Sequence, residues 1–83
     1  MDDRCKKLLY LSQHRGMKET DILMGRFAEL HLESLKAQEL DEFENLLQES
    51  DNDLLSWIQE QSTAPNELIG PVFKMIINFR KSL

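Results

Sequence analysis

The stretch Gly70-Pro71-Val72-Phe73-Lys74-Met75-Ile76-Ile77-Asn78-Phe79-Arg80-Lys81-Ser82-Leu83 decides the fold class. Val72, Met75, Ile76, Phe79 and Leu83 recur at i, i+3, i+4, i+7 and i+11, one face of a 3.6-residue helix, and Phe73 and Ile77 widen the stripe. Pro71 fits the first helical position, where the missing N–H costs nothing. Such a helix cannot hide its apolar face alone, so the rest of the chain must supply partners. Upstream, the loop Gln61-Ser62-Thr63-Ala64-Pro65-Asn66 separates it from a short helix that begins after the capping cluster Ser50-Asp51-Asn52-Asp53 and carries Leu54, Trp57 and Ile58 at i, i+3 and i+4.

The same periodicity continues toward the N-terminus. Leu40, Phe43, Leu46 and Leu47 predict a helix from about Ala37 to Glu49, with Ser34 a possible cap and the boundary poorly signalled. Leu23, Phe27, Leu30 and His31 predict another, starting at Lys18-Glu19-Thr20-Asp21 with Thr20 or Glu19 near the cap. His31 on that face is expected to be a hydrogen-bonded residue at the core edge. Gly25 weakens a helix relative to alanine, so it is expected to mark close packing of a neighbour. Cys5, Leu8, Leu9, Tyr10 and Leu11 give a first helix from Asp3 to about residue 15. Gly16 ends it, because glycine adopts a left-handed conformation without steric cost. No segment alternates with period two, and there is no internal repeat. The expected fold is all-α, one compact bundle of about five helices over residues 1–83, packed around Leu8, Phe27, Phe43, Leu47, Trp57, Ile58, Met75, Ile76 and Phe79.

With 83 residues the chain holds one domain, too small for two self-sufficient cores. Its formal net charge of -5 opposes contact with a phosphate backbone, so nucleic acid is excluded as a partner. That charge is uneven. Residues 1–18 hold five bases against two acids, whereas residues 29–53 hold nine acids against Lys36 alone, a polarity able to orient a docking partner. Cys5 is the single cysteine, which rules out an intramolecular disulfide and is read as a small buried hydrophobe in a reducing compartment. No apolar run approaches the ~20 residues of a membrane span. The acidic Met-Asp-Asp opening is unlike a secretory or transit peptide. The expected location is the bacterial cytosol, with the mitochondrial matrix after processing as the alternative.

Catalytic machinery is not legible. Two histidines and one cysteine in no metal-binding spacing give no metal site, and three glycines scattered at positions 16, 25 and 70 give no phosphate-cradling loop. Nucleophilic catalysis needs an activated nucleophile and an orienting base, yet Cys5, Ser12 and His14 would all share one short helix with no glycine-rich elbow. Binding is what remains. The segment His14-Arg15-Gly16-Met17-Lys18-Glu19-Thr20-Asp21 is the densest polar stretch at a helix junction. Arg15 offers a forked donor suited to a partner carboxylate, and Gly16 lets a partner backbone approach. A cap followed by a turn explains the same residues.

Arg15-Gly16-Met17-Lys18-Glu19-Thr20-Asp21 closely resembles the Arg-Gly-Met-x-Glu-x-Asp signature of the succinate dehydrogenase assembly and flavinylation factors, the SdhE family in bacteria. Leu46-Leu47 followed by Asp51-Asn52-Asp53-Leu54-Leu55-Ser56-Trp57 resembles that family's acidic turn and tryptophan-bearing helix, so the likeness covers nearly the whole chain. Thr20, where leucine is common, and His14, where a second arginine is common, depart from the pattern. The resemblance implies a non-enzymatic five-helix assembly factor. It implies that this chain binds the flavoprotein subunit of succinate dehydrogenase or fumarate reductase and promotes covalent attachment of FAD to a histidine of that client. Arg15 and Gly16 would form the centre of the contact surface, with Met17, Glu19 and Asp21 around it. No cofactor would be held stably by this chain, since FAD belongs to the client, and the factor would act as a monomer. The alternatives are a helical interaction module or antitoxin-like regulator with a different client, and a small enzyme or flavin carrier.

Overall fold

The computed structural model describes all 83 residues. Five α-helices and no strands form a body of 34 × 25 × 24 Å: α1 (Asp3–Gln13), α2 (Lys18–His31), α3 (Ala37–Leu47), α4 (Asp51–Ile58) and α5 (Pro71–Lys81). A 3-10 turn at Leu32–Ser34 links α2 to α3, and another at Asn66–Leu68 precedes α5. The expected bundle of five helices is what forms.

Local chemistry explains the starts. The Asp2 carboxylate accepts the Cys5 N–H at 2.8 Å and caps α1, and Ser50 Oγ accepts the Asp53 N–H at 3.2 Å and caps α4. Helix α3 is held at its start by Glu39, whose carboxylate reaches back to the Lys36 N–H at 2.8 Å. Ser34 is not its cap and instead donates to the His31 carbonyl. Helix α3 also stops at Leu47 rather than Glu49, with Gln48 as its cap. Pro71 occupies the first turn of α5. There the Glu42 carboxylate of α3 accepts the Phe73 N–H at 2.9 Å, supplying from another helix the acceptor that α5 lacks.

Helices α1 and α2 make the broadest helix pair; α2 also meets α4 and α5, and α5 in turn meets α3 and α4. Gly25 lies where α1 crosses it. A Cβ there would stand 3.0 Å from Gln13 Cγ, which bears out the expected close packing. Leu8, Met24, Phe27, Ala28, Leu32, Phe43, Leu46, Leu54, Ile58, Val72 and Ile76 are sealed from solvent and form one continuous core with Cys5. Burial pushes the Cys5 thiol above its ordinary pKa, because a thiolate would lose its hydration there.

Several expected core positions sit elsewhere. Leu30 and Leu83 are exposed, at 69% and 65%, so each stripe ends earlier than its periodicity predicts. Trp57, Met75 and Phe79 are half-buried and pack against the core edge. Tyr10 is exposed and stacks on His14 at a ring separation of 4.0 Å. His31 does sit at the core edge. Aromatic contact holds it there, with Phe27 at 4.8 Å and Phe79 edge-on at 5.9 Å.

Candidate functional site

The corner between α1 and α2 is built by the backbone first. Helix α1 ends at Gln13, His14 leaves helical geometry, and Gly16 turns the chain with φ +106°. That value lies in the left-handed region, where a side chain is strained. Met17, at φ -108° and ψ 134°, then forms the extended residue that starts α2. Neither Thr20 nor Glu19 is the cap. Thr20 is fully buried, and its hydroxyl donates to the Met17 carbonyl at 3.1 Å.

Two side chains hold the corner from within. The Asp21 carboxylate accepts the Arg15 backbone N–H, tying the first turn of α2 to the residue before the glycine. The Arg15 side chain, 10% exposed, runs under the corner to the turn between α3 and α4. Its Nε donates to Asp51 Oδ1 at 2.8 Å, Nη1 to the Leu47 carbonyl and Nη2 to the Glu49 carbonyl. Asp51 is itself only 14% exposed. The guanidinium therefore closes the end of α3, whose last carbonyls lack intrahelical partners. The forked donor expected for a partner carboxylate is engaged with this chain's own Asp51 and two backbone carbonyls.

The five residues singled out in the sequence thus fall into two groups at one corner. Arg15 and Asp21 face inward and brace it, while Gly16 and Glu19 are exposed and Met17 is half-exposed. A Cβ on Gly16 would meet nothing closer than Asp51 Oδ2 at 3.8 Å, so the space outside the glycine is open. The sequence reading missed Asp51 as the partner of Arg15. The only signal was the joint presence of the Arg-Gly motif and the acidic turn, which are 36 residues apart. No group of three or more His, Cys, Asp or Glu side chains converges as a metal ligand set. No helix is long and apolar enough to cross a membrane. The arrangement is an exposed, prebuilt backbone corner with the unpaired carboxylate of Glu19 beside it.

Comparison with known proteins meets this geometry. The family described as "flavinator of succinate dehydrogenase" matches residues 6–80. A relative from Dictyostelium discoideum, named succinate dehydrogenase assembly factor 2, mitochondrial, is 41% identical over 86% of this chain and 50% of its own length. The FAD assembly factor SdhE of Acetobacter pasteurianus is 34% identical over 89% of this chain and 68% of its own length. A protein from Candida glabrata with the same name as the Dictyostelium one is 41% identical over 78% of this chain and 43% of its own length. The chain accordingly spans about half the length of the mitochondrial relatives. The family match covers both the corner and the α3–α4 turn that braces it, and the chain belongs to the family of flavinators of succinate dehydrogenase.

Proposed function

We propose that this chain is an assembly factor that binds the flavoprotein subunit of succinate dehydrogenase, or of fumarate reductase, and promotes covalent attachment of FAD to that subunit. The observation that carries the reading is the α1–α2 corner: Gly16 is exposed at φ +106° with open space beyond it, and Arg15 and Asp21 stiffen it from inside, within a chain of the flavinator family. A corner already fixed in one conformation binds without the entropic cost of ordering a loop. Gly16 and Met17 form the centre of contact, Glu19 offers a carboxylate to a basic group of the client, and Arg15 and Asp21 position them.

The helper needs no catalytic group. Attachment requires a client histidine held against the flavin in near-attack geometry, and preferential binding to the client conformation that has this geometry raises the rate of the step. The FAD and the histidine both belong to the client. The factor acts as a monomer in the compartment where the flavoprotein acquires its flavin, the bacterial cytosol or the mitochondrial matrix.

Two measurements test this. Deleting the gene should abolish covalent flavin fluorescence on the large dehydrogenase subunit, and unchanged flavin attachment in a strain with no second helper overturns the reading. In vitro, Gly16→Leu meets no steric clash but strains the backbone at φ +106°, so it should lower Tm while keeping the parent's helical circular dichroism at temperatures well below its own Tm, where binding is measured. It should weaken binding to the purified flavoprotein subunit at least about tenfold, as expected when a central contact is blocked. Parent-like affinity would remove the corner from the interface.

A further inference from the structure

Beside the corner lies a surface groove of about 280 Å³, formed where the first turns of α2 approach α4 and the end of α5. Ile22, Leu23, Leu55 and Leu83 make its apolar floor, and Glu19 and Arg80 stand at its rim. Ile22 is 42% exposed although isoleucine strongly prefers burial. Neither Glu19 nor Arg80 takes part in any ion pair of the chain, whose pairs are Arg4 with Asp41 and Glu44, Arg15 with Asp51, and Lys81 with Glu60. An apolar surface bordered by an unpaired carboxylate and an unpaired guanidinium resembles an interface core with a polar rim.

The size and charge narrow the occupant. At about 280 Å³, almost wholly apolar and open to solvent, the groove is a shallow seat for side chains rather than an enclosing cavity. A second copy of this chain would bring its own net charge of -5 against the same, which opposes association. Glu19 belongs at once to the groove and to the exposed edge of the α1–α2 corner, only three residues after Gly16. A partner seated on the corner is therefore brought directly over the groove.

We infer that this groove is a second anchoring site for the flavoprotein client: it takes a client segment that inserts an apolar side chain over Ile22 and Leu55, flanked by a basic residue that meets Glu19 and an acidic residue that meets Arg80. The inference rests on the assembly-factor reading and adds to it a specificity element outside the Arg-Gly motif. The corner alone offers backbone and one carboxylate, which many proteins could meet. An apolar seat bordered by charges of both signs restricts the partner.

Titration of the purified flavoprotein subunit with Ile22→Asp, Leu30→Asp and Gly16→Leu, each checked by circular dichroism and sedimentation, decides the matter. Ile22→Asp should weaken binding at least about tenfold, as expected for loss of a central apolar contact. Leu30→Asp changes a more exposed residue of the same helix outside the groove and should stay within about twofold. Parent-like affinity for Ile22→Asp together with weakened Gly16→Leu overturns the groove and leaves the assembly-factor reading standing. Parent-like affinity for both variants, or a parent that does not bind, overturns both. A parent that self-associates, with Ile22→Asp monomeric and unchanged toward the client, also overturns the inference, since the groove then serves a second copy. Should Ile22→Asp fail to fold, Arg80→Glu at the rim replaces it: a loss of about fivefold or more that is suppressed by salt supports the groove, and unchanged affinity overturns it.

Discussion

Replacing Arg15 with alanine tests whether the guanidinium is a brace. Its three donor nitrogens are all committed within the chain, to Asp51 at 2.8 Å and to the carbonyls of Leu47 and Glu49, at a site where arginine is 10% and aspartate 14% exposed. Truncation leaves a carboxylate, the last carbonyl of α3 and the Glu49 carbonyl of the following turn short of partners. Hydrogen bonds to a charged group contribute about 1.5–3 kcal/mol each, and removing one member of a buried ion pair costs about 3–5 kcal/mol. Water reaches the vacated edge of this site, which places the expected cost near the lower limit, about 3 kcal/mol. Since a domain of this size loses roughly 4–8 °C in Tm per kcal/mol, Arg15→Ala should melt about 12–24 °C below the parent. Arg15→Lys should fall between the two, because a single ammonium cannot span three acceptors set in a plane. Urea unfolding followed at 222 nm gives the free energies. A double-mutant cycle with Asp51→Ala then isolates the pair, removing the separate effect of Asp51 on the start of α4, and a coupling of at least about 1 kcal/mol is expected. A loss below about 1 kcal/mol with negligible coupling would falsify the brace and return Arg15 to the outer surface.

Two further outcomes follow from local geometry. Glu60, the residue after the C-cap of α4, has φ 61°; its N–H donates to the Trp57 carbonyl at 3.1 Å and the Gln61 N–H to the Ser56 carbonyl at 2.9 Å, the two bonds of a Schellman cap that favours glycine. Glu60→Gly should therefore raise stability by about 0.5–1 kcal/mol, because the left-handed strain removed outweighs the exposed pair with Lys81, and a lowered Tm would contradict this. Asp2 has its carboxyl held below the ordinary value of 3.8, first by the Cys5 backbone N–H. A depressed folded pKa contributes stability above the unfolded value and loses it as pH falls through the folded one. Asp2→Asn keeps an acceptor without ionising, so its urea midpoint should fall less than the parent's between pH 6 and pH 2.5; parallel falls would show that the cap does not titrate with folding.

Much of the fold was readable because α3, α4 and α5 each bury mainly one stripe, and a single stripe leaves a clear 3.6-residue period. Helix α2 was read with too narrow a face for a physical reason. It lies between α1 on one side and α4 and α5 on the other, so it buries a wide arc that includes Thr20, Met24, Gly25 and Ala28. Small residues carry little hydrophobic signal, and Leu23, Phe27 and Leu30 marked only one edge of that arc. Leu30 lies past the last neighbour and faces water. Leu83 likewise follows the end of α5 at Lys81, where no helix remains to cover it. The α1–α2 corner was legible as a place, since a left-handed glycine and acids in the next turn have local causes. The inward course of Arg15 was not, because it depends on the α3–α4 turn being brought beside it by the packing of the whole bundle.

This placement divides an adjacent pair of residues between two jobs. Gly16 presents backbone to the outside, and Arg15 fixes the angle at which it does so by joining the corner to the far end of α3. Loss of client binding on changing Arg15 is thus what a positioning residue predicts as much as a contact residue does, and binding alone cannot separate the two. Stability separates them, because a contact residue at the surface leaves the melting curve in place whereas a brace moves it. Glu19 is the complementary case: it is exposed, pairs with nothing in the chain, and borders both the corner and the neighbouring groove. The Arg15–Glu19 segment therefore combines an inward clamp at its first residue with an exposed charge at its fifth, and the glycine between them turns the chain from the one to the other.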